Sequence, residues 1–305
     1  LGLILKGALG SKFAVLETLN RGTPLIFPGL AVAVAFRARL WNIGAEAQLY
    51  AGALMTVLVG TKLGLPAPLA IPAMALAAVI AGALVLLGPV VLKVRLGVDE
   101  VVTTLLFNFI MLLFVSMLLE GPLKDPMGMG WPKSEPIPRD ARLPRLVEGL
   151  RLHWGFGLAI LSAFAVWVMQ ARTTLGYEIR AVGQNAEAAA FAGIPVGRVM
   201  VKTALISGGL AALAGFSEVA GLRGTLALGV SPGFGDTGII VAMLALLHPL
   251  GVVGTALFVA GIFVGADSMS RAADVPTYIA DILVAVALLF MVLALALTRF
   301  RMVRG

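Results

Sequence analysis

The sequence predicts an all-α polytopic membrane protein, and three observations carry that expectation. Hydrophobic residues make up 60% of the 305-residue chain and only 13% are charged, whereas a soluble domain carries about a quarter charged residues. The mean hydropathy is +1.01. Apolar runs close to the ~20 residues that cross a ~30 Å hydrocarbon core recur along the whole length. A transmembrane β-barrel would instead show ~10-residue segments of alternating polarity, and these runs do not alternate.

The spans follow from the runs and their breakers. Thr23–Phe36, extended backwards towards Val15, is the first. Ile43–Lys62, Pro66–Leu92 and Val101–Leu119 follow, and a polar, Pro-rich loop covers 121–153. After Trp154–Gln170 a second hydrophilic loop occupies 172–197, and Val199–Gly221 comes next. A Gly-rich stretch, Leu222–Gly235, opens into the short helix Thr237–His248. Gly251–Ala266 and Tyr278–Leu297 complete about nine spans in one transmembrane domain, 1–305. The weakly apolar start carries Lys6, Lys12 and Glu17, and a further helix is expected ahead of it, giving ten.

Lys and Arg set orientation when they lie in short segments beside the spans. Arg37/Arg39, Lys93/Arg95, Arg198/Lys202 and the closing Arg299, Arg301 and Arg304 favour a cytoplasmic C-terminus. Loop 172–197 is then cytoplasmic and loop 121–153 external. The net charge of +7 reflects these helix ends and gives no reason to expect nucleic-acid binding.

Several chemistries are excluded or unsupported. The chain has no cysteine, so disulfides and thiolate metal sites are ruled out. His153 and His248 have no metal-ligand spacing. No lysine follows a glycine, so the phosphate cradle of a P-loop is missing. No Ser/His/Asp set or carboxylate pair suggests catalysis, and no cofactor is expected. Gly233-Phe-Gly235-Asp-Thr-Gly238 matches a dinucleotide fingerprint in letters only, because no strand precedes it.

Two polar turns interrupt the apolar pattern. Arg37-Ala-Arg-Leu-Trp41-Asn42-Ile-Gly-Ala-Glu46-Ala-Gln48 opens one helix, and Ser231-Pro-Gly-Phe234-Gly-Asp236-Thr237 opens another. Irregular backbone at membrane depth persists only where protein or a water-filled cavity surrounds it. Interrupted segments in matching positions of two halves point to a solute site at the repeat interface. An inverted repeat of five helices is therefore expected, with the two broken helices at its centre. Trp41, Asn42, Glu46, Gln48, Asn108, Phe234, Asp236 and Thr237 are the candidate path residues, with Asp236 read as capping the short helix. Pairing of Glu46 with Arg37 or Arg39, and an interhelical hydrogen bond for Asn108, are the structural alternatives. Glu218 and Asp281 read as interfacial.

In the second loop, Asn185 is a good N-cap, Ala188 and its neighbouring alanines favour helix, Gly193 fits a C-cap and Pro195 stops continuation. A helix of about eight residues results, flanked by Arg180 and Arg198 and carrying Glu187 and Phe191. So short a helix is marginal alone in water, so it docks either on its own protein or on a partner.

Phe36-Arg-Ala-Arg-Leu-Trp-Asn-Ile-Gly-Ala-Glu-Ala-Gln48, Asp99-Glu-Val-Val-Thr-Thr-Leu-Leu-Phe-Asn108, Gly121-Pro-Leu-Lys-Asp-Pro126 and Gly176-Tyr-Glu-Ile-Arg-Ala-Val-Gly-Gln-Asn-Ala-Glu187 stand in an order that resembles the branched-chain amino-acid/ribose-type permeases of bacterial ABC importers. Within that group the chain is most similar to the nucleoside (simple-sugar) permeases. The resemblance spans essentially the whole sequence. It implies a multi-pass inner-membrane permease that translocates nucleosides or similar small neutral solutes and hydrolyses no ATP itself. It also implies a separate ATPase docked on loop 172–197, a solute-binding lipoprotein outside, and a second related permease in a hetero- or homodimer. Arg180, Asn185, Glu187, Ala188, Phe191 and Gly193 would form the ATPase contact. A ribose-like sugar or branched-chain amino acid is the alternative solute, and an ion-coupled secondary transporter is the alternative class.

Overall fold

The computed structural model describes residues 2–147, 149–273 and 276–299. Arg301 and Arg304, expected to close the chain on the cytoplasmic side, lie outside them. The described chain is 77% helix without a strand. Its helices are α1 (Gly2–Leu9), α2 (Lys12–Arg37), α3 (Ala45–Lys62), α4 (Ala67–Leu96), α5 (Glu100–Glu120), α6 (Gly155–Arg172), α7 (Thr174–Gln184), α8 (Ala186–Phe191), α9 (Val196–Phe216), α10 (Phe234–Leu244), α11 (Pro249–Ala273) and α12 (Ile279–Arg299). Six of the described helices are long and apolar enough to cross a membrane: α2, α4, α5, α6, α9 with its continuation to Arg223, and α11.

Local chemistry explains several boundaries. The Ser11 hydroxyl caps α2 by accepting from Ala14 N–H at 3.1 Å. Asp99 caps α5 through Val101 N–H at 2.7 Å. Gly97, at φ 68°, ends α4 in the left-handed conformation that a glycine adopts without strain. The first span begins earlier than its hydropathy suggests: α2 starts at Lys12 and runs through Pro24 and Pro28. In apolar surroundings, neighbouring helices and Ser/Thr side chains re-satisfy the backbone that a proline frees. The end of α9 loosens into a π-helical turn over Ser217–Arg223.

Burial separates centre from periphery. Of the apolar window in α2, 83% is buried, and in α9 72%, but in α5 only 11%. The centre is therefore the α2/α9 pair. Helix α4 packs on α9 as α11 packs on α2, and α3 lies on α9 as α10 lies on α2. Small residues bring these helices together. A Cβ on Gly82 would strike the Gly208 carbonyl, and one on Gly208 would strike Gly82. Gly52 abuts the Ala212 backbone and Gly215 abuts Leu49 and Ala53. Lipid provides little hydrophobic drive for helix association, so close backbone approach is a major source of attraction.

Ser134, Ile137 and Leu143 tie the loop between α5 and α6 to the π-helical turn that ends α9 and to the segment that follows it. Ser134 N–H donates to the Leu226 carbonyl and Leu226 N–H to the Ser134 hydroxyl, both at 2.8 Å. Ile137 N–H reaches the Gly224 carbonyl and Leu143 N–H the Ala220 carbonyl, again at 2.8 Å. His153, at the loop's end, is 1% exposed. Its ring covers Gly221 and its Nδ1 accepts from Gly155 N–H at 3.1 Å.

Burial lowers the His153 pKa from 6.5 to about 4. Between those values the unfolded chain binds more protons than the folded one, so stability falls as pH drops from about 6.5 towards 4. Thermal unfolding of the detergent-solubilised protein should show that loss, and His153→Gln should flatten it. Gly208→Val should destabilise by ~1–3 kcal/mol through overpacking, which the same melts would register as a lower Tm.

Candidate solute path and coupling site

The chain leaves α2 at Ala38 and runs without helix to Gly44 before α3 begins. Arg39 turns it at φ 53°. Polar side chains satisfy the exposed backbone. Trp41 N–H donates to Glu100 Oε1 and Ile43 N–H to Thr104 Oγ1, each at 3.3 Å. Asn108 grips both sides of the helix start: its Oδ1 accepts from Ala47 N–H at 2.9 Å and its amide donates to the Ile43 carbonyl at 3.0 Å. Glu100 also pairs with Lys93.

Asn42 and Gln48 form a reciprocal amide pair, at 3.0 and 2.8 Å. Asn42 also accepts from Gly44 N–H at 3.0 Å and donates to Ser207 Oγ at 3.0 Å. Ser207 passes the bond to the Ala31 carbonyl at 2.8 Å. The four hydrogen-bonding positions of the Asn42 amide are thus filled, and Asn42 and Gln48 are 0% and 1% exposed. This knot ties the broken segment to the α2/α9 centre.

The second break is built differently. The Ser231 hydroxyl accepts from Gly233 N–H at 3.2 Å and Phe234 N–H at 2.9 Å. Gly233 occupies the N-cap at φ 87°. Asp236 therefore does not cap the helix: α10 starts at Phe234, ahead of the expected Thr237, and Asp236 lies exposed within the first turn. Glu46 Oε2 accepts from Gly235 N–H at 2.6 Å, and Gly235 stands against the Glu46 backbone. The starts of α3 and α10 are consequently joined. Glu46 pairs here, and not with Arg37 or Arg39. Tyr50, one turn further along α3, donates from its hydroxyl to the Leu228 carbonyl.

Beside this junction, a cavity of about 170 Å³ is lined by Arg21, Pro232, Phe234, Thr237, Phe263, Asp267, Thr277 and Asp281. Arg21 pairs with Asp267 at 2.9 Å and lies over the Phe263 ring, 5.5 Å from its centroid. Arg21 and Asp267 are absent from the sequence-based site. Arg21 stands in the polar early part of α2, between Asn20 and Gly22, and its partner is 246 positions away, so only the fold pairs them. Glu218, read as interfacial, is 3% exposed and lies 3.5 Å from Arg223. Trp41 is set apart from the cavity: its exposed ring meets Phe36 edge-on, with centroids 4.7 Å apart.

Loop 172–197 holds two helices, not one. Thr173 caps α7 by accepting from Gly176 N–H at 3.1 Å. Asn185 caps α8 by accepting from Glu187 and Ala188 N–H at 3.0 Å each. Gly193, at φ 85°, follows the end of α8. Helix α7 escaped sequence reasoning because its Gly176 and Gly183 look like loop residues; both are contact points. Gly183 lies on the Arg37 carbonyl and Gly176 on the Met169–Gln170 backbone. Arg180 donates to the Gln170 carbonyl. Ala189 is buried, while Phe191 is 97% exposed. Among the described residues no group of His, Cys, Asp and Glu has the arrangement of a metal site.

Replacing Asn108 with Ala removes both hydrogen bonds that hold the start of α3, leaving the Ala47 N–H and Ile43 carbonyl without them. A loss of ~2–3 kcal/mol is expected, measurable as a lower Tm, with Asn108→Asp recovering only the Ala47 contact.

The family model described as branched-chain amino acid transport system / permease component matches residues 14–293. The glucose ABC transporter permease protein TsgB13 of Haloferax volcanii is 36% identical over 98% of this chain and 81% of its own length. The guanosine ABC transporter permease protein NupP of Bacillus subtilis is 37% identical over 93% and 82%. The nucleoside ABC transporter permease protein NupB of Lactococcus lactis is 30% identical over 93% and 80%. No solved structure matches. The matched region runs from α2 into α12 and takes in both broken helices and the α7–α8 unit, and the chain belongs to the ABC-importer permease family of branched-chain amino acid transport system permease components.

Proposed function

We propose that this permease carries nucleosides, or similar small neutral solutes, inward across a bacterial inner membrane. The observation that carries the reading is the junction of the α3 and α10 starts through Glu46 and Gly235. Helix N-termini carry a positive dipole end, and polar side chains gather to serve these two, so their meeting inside the bundle offers a polar waypoint in an apolar wall. In this reading α2–α5 and α9–α12 are the inverted halves, with α6 leading the second and nine spans in this chain. The matched packing of α4 on α9 with α11 on α2, and of α3 on α9 with α10 on α2, supports that assignment.

The path residues divide by duty. Asn42, Gln48 and Asn108 position the broken helix, because their hydrogen bonds are taken up internally. Glu46, Phe234, Asp236 and Thr237 flank the route, and Trp41 marks its cytoplasmic end. Guanosine and nucleosides in the names of two relatives favour a nucleoside. A sugar is the second reading, favoured by the glucose permease similarity over 98% of this chain. Two guanosine permease proteins occur in Bacillus subtilis among the relatives, which supports a heterodimer of related permeases, with an ATPase inside and a solute-binding lipoprotein outside. ATP-dependent uptake of radiolabelled guanosine by the reconstituted transporter should be competed by other nucleosides and not by glucose or leucine. Uptake of glucose without guanosine would replace this reading with the sugar one.

Arg180, Asn185, Glu187, Ala188, Phe191 and Gly193 form the ATPase contact, with exposed Phe191 as its anchor. Truncating one apolar anchor at a docked interface costs ~1–4 kcal/mol. Phe191→Ala should therefore weaken ATPase association about tenfold or more in pull-down titrations and lower uptake with it. Ala188→Cys, in this cysteine-free chain, should cross-link to cysteines on the ATPase. Labelling of that cysteine from the external face would reverse the topology.

A further inference from the structure

The cytoplasmic halves of α4 and α9 form a groove that the transport reading does not use. At its inner end Arg95, Arg198 and Lys202 stand beside Val91, Val94, Gly197 and Val201 around a cavity of about 490 Å³. None of these three cations is ion-paired with a described residue, and no carboxylate lines the cavity. Further along the same two helices, a cavity of about 560 Å³ is lined wholly by apolar side chains and Gly209, among them Ile80, Leu84, Leu205 and Leu213.

The two cavities share one face. Ile80, Leu84, Val91 and Arg95 recur at helical spacing along α4, as do Arg198, Lys202, Leu205 and Gly209 along α9. From Leu84 to Arg95 the groove runs ~16 Å at 1.5 Å per residue. It therefore has a cationic head and an apolar tail, oriented as a phospholipid of the inner leaflet is. Basic pockets between transmembrane helices on the cytoplasmic side suit anionic head groups. Gly209 sits against Val79, so that a larger side chain would not fit without displacement, and the tail section of the groove stays open beside it.

We propose that this α4/α9 groove binds one anionic phospholipid, with its phosphate on Arg95, Arg198 and Lys202 and an acyl chain along Ile80, Leu84 and Leu205. The inference rests on the membrane placement of α4 and α9 and is independent of which solute is carried. It gives the helix pair that meets at Gly82 and Gly208 a charge-selective lipid at its inner end.

Native mass spectrometry of the assembled transporter tests it, after exchange into mixed micelles doped with phosphatidylglycerol or with phosphatidylcholine. Retention of phosphatidylglycerol should exceed that of phosphatidylcholine roughly tenfold or more, given the contribution of each basic residue near an anionic surface. The triple variant R95Q/R198Q/K202Q should lose that preference, and Leu205→Trp, which obstructs the tail section, should reduce retention of the lipid with its head-group residues intact. Equal retention of the two lipids by the unaltered protein would overturn the proposal, as would an unchanged preference in the triple variant. Displacement of the lipid by millimolar glycerol phosphate alone would mean a simple anion site and overturn it too. So would loss of ATPase association in the triple variant with lipid retention unchanged, because the cations would then serve a protein interface.

Discussion

The Glu46 carboxyl group reaches from the start of α3 to the Gly235 amide at the start of α10, and the interior is arranged to make that contact possible. Two helices that begin inside an apolar bundle each leave unpaired N–H groups, and hydrocarbon offers nothing to satisfy them. Each start is therefore supplied from within. Asn42, Thr104 and Asn108 serve the first, Ser231 serves the second, and Glu46 joins the two. A negative or polar group at a helix N-terminus is also favoured by the dipole. Removing side chains from this set exposes backbone; it does not merely delete contacts.

That constraint explains where the glycines fall. Gly235 must lie on the Glu46 backbone, and Gly52, Gly82, Gly208 and Gly215 hold α3, α4 and α9 close enough to enclose the break. The same closeness links the break to the α7–α8 unit. Helix α7 seats Gly183 on the Arg37 carbonyl, where α2 ends and the irregular segment begins. A push on α7–α8 would arrive within a few residues of the Asn42 knot. This short mechanical route fits an importer whose energy enters from a separate subunit.

Much of this was legible in the sequence because bilayer physics writes in long apolar runs. The long apolar helices, the polar loop between α5 and α6 and the capped α8 follow from span length, proline and Asn185. The two polar turns announced themselves as breaks. Three features were hidden for identifiable reasons. Arg21 and Asp267 meet across 246 positions, and neither has a local signal. Asp236 has the composition of a cap, yet Gly233 takes the N-cap in a left-handed turn and the Ser231 hydroxyl accepts the N–H groups there. Helix α7 was masked by glycines that serve packing. Asn42 and Gln48 were recognisable as important polar residues, but their mutual bonding, which commits them to structure, depends on Ser207 from α9.

The central claim is that the joined starts of α3 and α10 border water along the solute route. The most direct measurement is thiol labelling of Asp236→Cys in the otherwise cysteine-free permease, assembled with its partners in native membranes. A small charged maleimide should label this position, at a rate that differs between the nucleotide-free and vanadate-trapped states and falls when guanosine is present. Labelling by lipid-soluble reagents alone, unchanged by nucleotide or solute, would place the junction away from the route and contradict the account.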